Sequence, residues 1–155
     1  EKTNLRLVIV KIALKKKILI HVISPLITGG LLYVLFRSTT LRMFHWFEFL
    51  GLKSCVSILR QYVNPIKSSI PSWVYFSLPD GLWVYSFTSI ILIIWHSKNT
   101  LWVLIPFSSG VIVEILQKYF ITGTFDWLDF IFSIIGFFLS IFILNKNKKN
   151  HVQVF

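Results

Sequence analysis

Charge is what this sequence has least of. Only 14% of its 155 residues are charged, against about 25% in an average soluble domain. Six of the residues are acids. With 55% hydrophobic residues, 17% aromatic residues and a mean hydropathy of +0.72, a water-soluble fold of this length could not cover its apolar surface. One cysteine, Cys55, excludes an internal disulfide and a multi-cysteine metal site. Alanine occurs once, as Ala13. Serine-nucleophile motifs, phosphate-cradling glycine loops, CxxC pairs and the HxxxH or HxxE pairings of metal sites are all missing. His21, His45, His96 and His151 are far apart in the chain, so neither metal nor cofactor is expected.

What is present is apolar length. Four stretches, residues 18–36, 78–95, 101–121 and 127–144, are each near the ~20 residues a helix needs to cross a bilayer. The expected fold class is therefore all-α: one membrane domain over residues 1–155 with four transmembrane helices. Residues 5–14, punctuated by Arg6 and Lys11, read as an N-terminal interfacial helix. Residues 41–62 mix Phe44, Trp46, Phe47, Phe49 and Leu50 with Arg42, Glu48, Lys53 and Arg60, as an amphipathic helix on the outer surface would. Residues 145–155 form a basic tail. Trp83, Trp95, Trp102, Tyr119 and Trp127 fall at or near span ends, where aromatic belts form.

The net charge of +10 could suggest nucleic acid, but the basic residues cluster at the ends of apolar segments. They read as topology signals and contacts to anionic membrane lipids, with no nucleic-acid partner. With both termini cytoplasmic, ten Lys and Arg lie inside and six outside, and Glu1 is the one acid inside. The apolar stretch after Lys15-Lys16-Lys17 lacks a small-x-small exit, so it reads as a retained anchor rather than a cleaved signal. The first residue is Glu1 and not Met, so the numbering is expected to start inside a longer product.

Glu114 lies well inside the third span, where a carboxylate costs roughly 2.5–3.5 kcal/mol even on gentle scales. Pro106, Gly110, Glu114 and Gln117 are spaced to share one helical face, and so are Asp129, Ser133, Gly136 and Ser140. Small residues allow close helix approach, so Gly110, Ser133, Gly136 and Ser140 are expected to pack these two faces together. Glu114 and Gln117 would then meet Asp126 and Asp129 near the outer surface, with Asp80 at similar depth. Arg37, Arg42 and Lys118 could supply anion contacts. A plainer reading makes Asp80 and Asp126 helix caps and Gln117 an interhelical bridge.

The run Glu114-Ile115-Leu116-Gln117, then Gly123-Thr124-Phe125-Asp126-Trp127-Leu128-Asp129 and Ser133-Ile134-Ile135-Gly136, resembles the VanZ-like family of small bacterial membrane proteins. That family's pattern is roughly ExxQ, a short turn with an arginine, then DxxDxxxNxxG. The ExxQ, both aspartates and the glycine match. Gly123-Thr124 stands where the arginine would be, and Ser133 where the asparagine would be. Asp80, Trp83 and Tyr85 look like a diverged form of a second family segment that usually carries a lysine and a histidine. The resemblance covers residues 78–140, less than half of the chain. It implies a four- or five-span bacterial inner-membrane protein. One branch of the family is associated with lowered sensitivity to glycopeptide antibiotics such as teicoplanin.

The sequence thus leads to a non-enzymatic envelope role through an outward-facing polar site of Glu114, Gln117, Asp126, Asp129 and Asp80. A rival is an accessory subunit of a larger membrane complex, its partners being other membrane protein subunits docked on the aromatic outer loop. A second rival, an enzyme acting on a lipid or lipid-linked sugar with Glu114 and Asp129 as acid and base, ranks last because no nucleophile or metal set accompanies them.

Overall fold

Every element among the described residues is helical. The computed structural model describes the backbone of residues 2–40, 42–95, 101–119 and 126–152. The side chains of 2–7, 9, 42, 113, 114, 116–119 and 146–152 lie outside that description. Helix α1 (Lys2–Ile18) continues through a π-helical turn, Leu19–Ile23, straight into α2 (Ser24–Phe36). The separate interfacial helix expected at residues 5–14 is therefore the first part of one continuous helix. Lys15, Lys16 and Lys17 are good helix formers and give the chain no reason to break there. Pro25 explains the π turn. It has no N–H for the His21 carbonyl, and its ring crowds that carbonyl. The ladder widens just before it, and the Ser24 N–H donates to Leu19 O, five residues back.

The connection after α2 is a helical hairpin. Helix α3 (Arg42–Phe49) ends at Gly51, whose φ of 70° suits glycine. Leu52 N–H then donates to Phe47 O at 2.8 Å and Gly51 N–H to Glu48 O at 3.0 Å, closing the helix end. Helix α4 (Lys53–Val63) leads to a 3₁₀ turn, Asn64–Ser69, and the short α5 (Ser72–Phe76). Three longer helices follow: α6 (Leu78–Ile94), α7 (Leu101–Tyr119) and α8 (Trp127–Val152). The basic tail expected from residue 145 is helical as far as Val152. Two helices, Val10–Phe36 and Trp127–Asn145, are long and apolar enough to cross a membrane. The apolar helices Leu78–Ile94 and Leu101–Ile112 are shorter.

Helix α6 is the centre of the packing and touches α8, α2, the π turn and α7. Its closest neighbour is α8. A Cβ built on Gly81 would sit 2.7 Å from Phe132 O, and one on Gly136 would run into the Gly81 backbone. Further along the same crossing, Ser89 Oγ and Ser140 Oγ are 2.9 Å apart. Gly136 and Ser140 therefore face α6, not α7 as their spacing led us to expect. The reason is that α6 carries its own small residues, Gly81, Ser86, Thr88 and Ser89, and offers α8 the flatter surface. The expected α7–α8 approach occurs at Gly110, where an added Cβ would lie 3.8 Å from Ser133 Oγ and 3.6 Å from Val84 Cγ2. On the other side of α6, Ser86 Oγ donates to Val22 O at 2.7 Å, and His21 Nδ1 pairs with the Tyr85 hydroxyl at 2.7 Å. Trp83, near the start of α6, packs with Tyr33 and lies against Gly29 on α2.

The distribution of side chains runs opposite to that of a soluble protein. Ser77, Pro79, Ser86, Thr88, Ser89 and Ser140 are fully buried. Leu19, Ile27, Leu31, Phe87, Ile105, Ile135, Phe138 and Phe142 are exposed.

The α6–α8 contact generates a matched pair of predictions. Gly136→Ala should lower stability by about 1–3 kcal/mol, because the clash is with backbone that cannot rotate away. Gly30→Ala, with open space around its Cβ position, should leave the melting temperature in detergent unchanged or slightly raised. Equal behaviour of the two variants in thermal unfolding would mean that α6 and α8 are not in backbone contact.

Candidate functional site

The polar residues of this chain gather where one end of α2 meets the starts of α6 and α8. Three carbonyls at the C-terminal end of α2 are capped by the segment that follows it. Arg60 Nη1 donates to Val34 O at 2.6 Å and Nη2 to Arg37 O at 2.8 Å, while Lys67 Nζ reaches Phe36 O at 3.4 Å. A helix leaves its last four carbonyls unpaired and slightly negative, so cations from α4 and the 3₁₀ turn complement it twice over. The side chain of Arg37, the next residue, turns toward α5 and α6. Its Nη2 donates to Phe76 O at 3.0 Å and lies 3.9 Å from Asp80 Oδ2. The rings of Tyr33 and Phe76 stack near its guanidinium at 5.1 and 5.0 Å.

Asp129, in the first turn of α8, is only 7% exposed. The fully buried Ser77 hydroxyl lies beside it, and the Arg37 and Asp126 charges act on it. Yet Asp129 Oδ1, Ser77 Oγ and Arg37 Nε are buried without a completed hydrogen bond. Buried polar atoms are paired in nine cases out of ten or more, so three orphans in one place stand out among the described residues. Asp126 is plainer: its Oδ1 accepts the Leu128 N–H at 2.9 Å and caps α8.

Of the site residues read from the sequence, Asp80, Asp126 and Asp129 are brought together here. Asp80 and Asp129 meet through Arg37, one as its ion-pair partner and the other through its field. Glu114 and Gln117 sit on the backbone of α7, but their side chains lie outside the described residues. Arg37, read as an anion contact, is an ion-pair partner of Asp80 instead. Ser77 was missed. Its signal was the Ser77-Leu78-Pro79-Asp80 run, an S-x-x-D pattern that marks a helix start. Its hydroxyl makes no capping bond, however, and turns to Asp129.

Three other features were compared with this one. A cavity of about 460 Å³ in the α3–α4 hairpin is lined by Phe44, His45, Glu48, Lys53 and Arg60. Its charged groups already have partners. Lys53 Nζ donates to Glu48 Oε1 at 2.5 Å, and this hydrogen bond with the Lys53 charge holds the Glu48 carboxyl below its ordinary value. A groove of about 340 Å³ beside His21 and Tyr85 is almost wholly apolar. Among the described residues no group of His, Cys, Asp and Glu could hold a metal ion. Comparison of the chain with protein-family models, curated proteins and solved structures returned no match.

Among the described residues, Arg37 is the cation that faces the carboxylates. Arg37→Ala should destabilise the chain by about 1–3 kcal/mol, since it removes the donor to the Phe76 carbonyl and the guanidinium beside Asp80. Adding Asp80→Asn to that variant should recover part of the loss by removing the stranded charge. Unfolding measurements on the single and double variants check this. A double variant less stable than Arg37→Ala would mean that the two side chains do not interact.

Proposed function

We infer that this chain is a bacterial inner-membrane protein that crosses the bilayer four times with both termini in the cytoplasm. It is VanZ-like, and it serves the envelope without catalysis through the outward-facing site of Arg37, Ser77, Asp80 and Asp129. The inverted distribution of side chains supports the membrane reading, because small and hydroxylated residues hold helices together where lipid already solvates apolar ones. The two shorter helices fit the same reading. Helix α6 has 17 residues, and at ~1.5 Å per residue it nearly matches a hydrocarbon core ~30 Å thick. Trp95 and Trp102 stack at 6.0 Å where α6 ends and α7 begins, as partners in an interfacial belt would.

The observation that carries the functional reading is Asp129, more than nine-tenths buried with one carboxylate oxygen unpaired. A buried carboxylate oxygen left unpaired calls for an explanation beyond stability, and a functional role supplies one. The accessory-subunit reading rests on a different observation. Trp46, Tyr62 and above all Phe49, which is 91% exposed, project from the outer hairpin with nothing over them.

Teicoplanin susceptibility of a sensitive Gram-positive host expressing the chain separates the two. Wild-type protein should lower sensitivity, Asp129→Asn should return it to the host level, and Phe49→Ser should leave the effect intact. The reverse pattern would move the working surface to the hairpin. A full effect from Asp129→Asn would show that the polar site is not the working centre.

A further inference from the structure

The stretch from the middle of α4 to α5 is tied down at several points. Arg60 and Lys67 donate to the carbonyls of Val34, Phe36 and Arg37, where α2 ends. Tyr75 stacks on Phe36 at 5.5 Å, and Trp73 on Phe132 of α8 at 5.4 Å. Just after α5 the chain enters α6. The stretch is therefore held at the level where α2 ends and α6 and α8 begin. Two of these helices belong to the runs Val10–Phe36 and Trp127–Asn145, which are long and apolar enough to cross a membrane.

Its other side is uncovered. Leu59, Tyr62 and Ile66, spaced three and four residues apart, are 53%, 77% and 55% exposed, and Trp73 is 42% exposed. Between Glu48 and Asp80 the sequence has no acid, while Lys53, Arg60 and Lys67 are all basic. A lasting protein interface takes about 20–30 residues a side, more than this strip supplies. A phospholipid surface fits it better, since it asks for shallow apolar insertion, polar-tipped rings at the boundary and basic charge beside the phosphates. We propose that residues 59–76 lie in the boundary of a phospholipid bilayer. Leu59 and Ile66 enter the upper acyl chains, Tyr62 and Trp73 sit at the headgroups, and Lys67 lies at the phosphate level. The first turn of α4, with the exposed Ser54 and Cys55, lies beyond the Arg60 anchor toward the Gly51 turn and stays in water. The proposal rests on the membrane-spanning reading and adds the lipid surface as the partner of a segment outside the polar site.

The test uses nitroxide labels on single cysteines placed in a Cys55→Ser chain reconstituted in phospholipid vesicles. Leu59→Cys and Ile66→Cys report on the strip, Ser54→Cys on the first turn of α4, and Ile135→Cys on the exposed face of α8. Collision rates are measured with oxygen, which concentrates in lipid, and with a nickel chelate, which stays in water. Labels at positions 59, 66 and 135 should collide more with oxygen than with nickel, and the label at position 54 should show the reverse. Nickel preference at 59 and 66, with oxygen preference at 135, overturns the proposal and leaves the spanning reading standing. Loss of both kinds of collision at 59 and 66 also overturns it, because protein would then cover the strip. Nickel preference at 135 would instead defeat the spanning reading beneath it.

Discussion

The architecture depends on the backbone contact between α6 and α8 at Gly81 and Gly136. No side chain fits between the two helices there, so their separation is set by main-chain atoms alone. That approach puts the starts of both helices beside each other and brings Asp129 to Ser77. Further along, it leaves Ser89 and Ser140 close enough to share a hydrogen bond. In an apolar surrounding such a bond contributes only about 0.6 kcal/mol on average, so the close packing sets the geometry and the hydroxyls follow it.

The first helix is fitted to α6 by other means. Pro25 forces the π turn, and the residues in that turn, His21 and Val22, are the ones that bond to Tyr85 and Ser86. The far end of the same helix is held by Arg60 and Lys67 through the carbonyls of Val34, Phe36 and Arg37. The α3–α4 hairpin is therefore more than a connection. By occupying the carbonyls at the end of α2, it leaves the Arg37 guanidinium to serve the carboxylates of α6 and α8. The polar site exists because each neighbouring demand for a cation has been met by another residue.

Much of this was legible in the sequence. The helices at 78–94 and 101–119 fall within a residue or two of the apolar runs that announced them. Asp80 and Asp129 both lie near Arg37, at the starts of α6 and α8, while the Glu114 and Gln117 side chains grouped with them in the sequence lie outside the described residues. Less legible was which helix meets which. Gly136 and Ser140 form a small face that fits α7 and α6 equally well in one dimension, and the choice depends on the flatness of α6, a tertiary property. The continuity of α1 into α2 was hidden for a related reason. Three lysines look like a boundary to a reader of charge, but they do not interrupt a helix. Ser77 was not singled out in the sequence, and its distance from Asp129 in the chain concealed their meeting.

The central claim is that the hairpin and the polar site lie at the outer face of a membrane while the end of α8 lies inside. Cys55 makes this directly measurable, since it is the single cysteine and is exposed on α4. Intact cells are treated with a membrane-impermeant maleimide before and after permeabilisation. The account predicts that Cys55 reacts in intact cells, and that a cysteine at Asn145→Cys in a Cys55→Ser chain reacts only once the membrane is opened. Labelling of the cysteine introduced by Asn145→Cys in intact cells, with Cys55 protected, would contradict it.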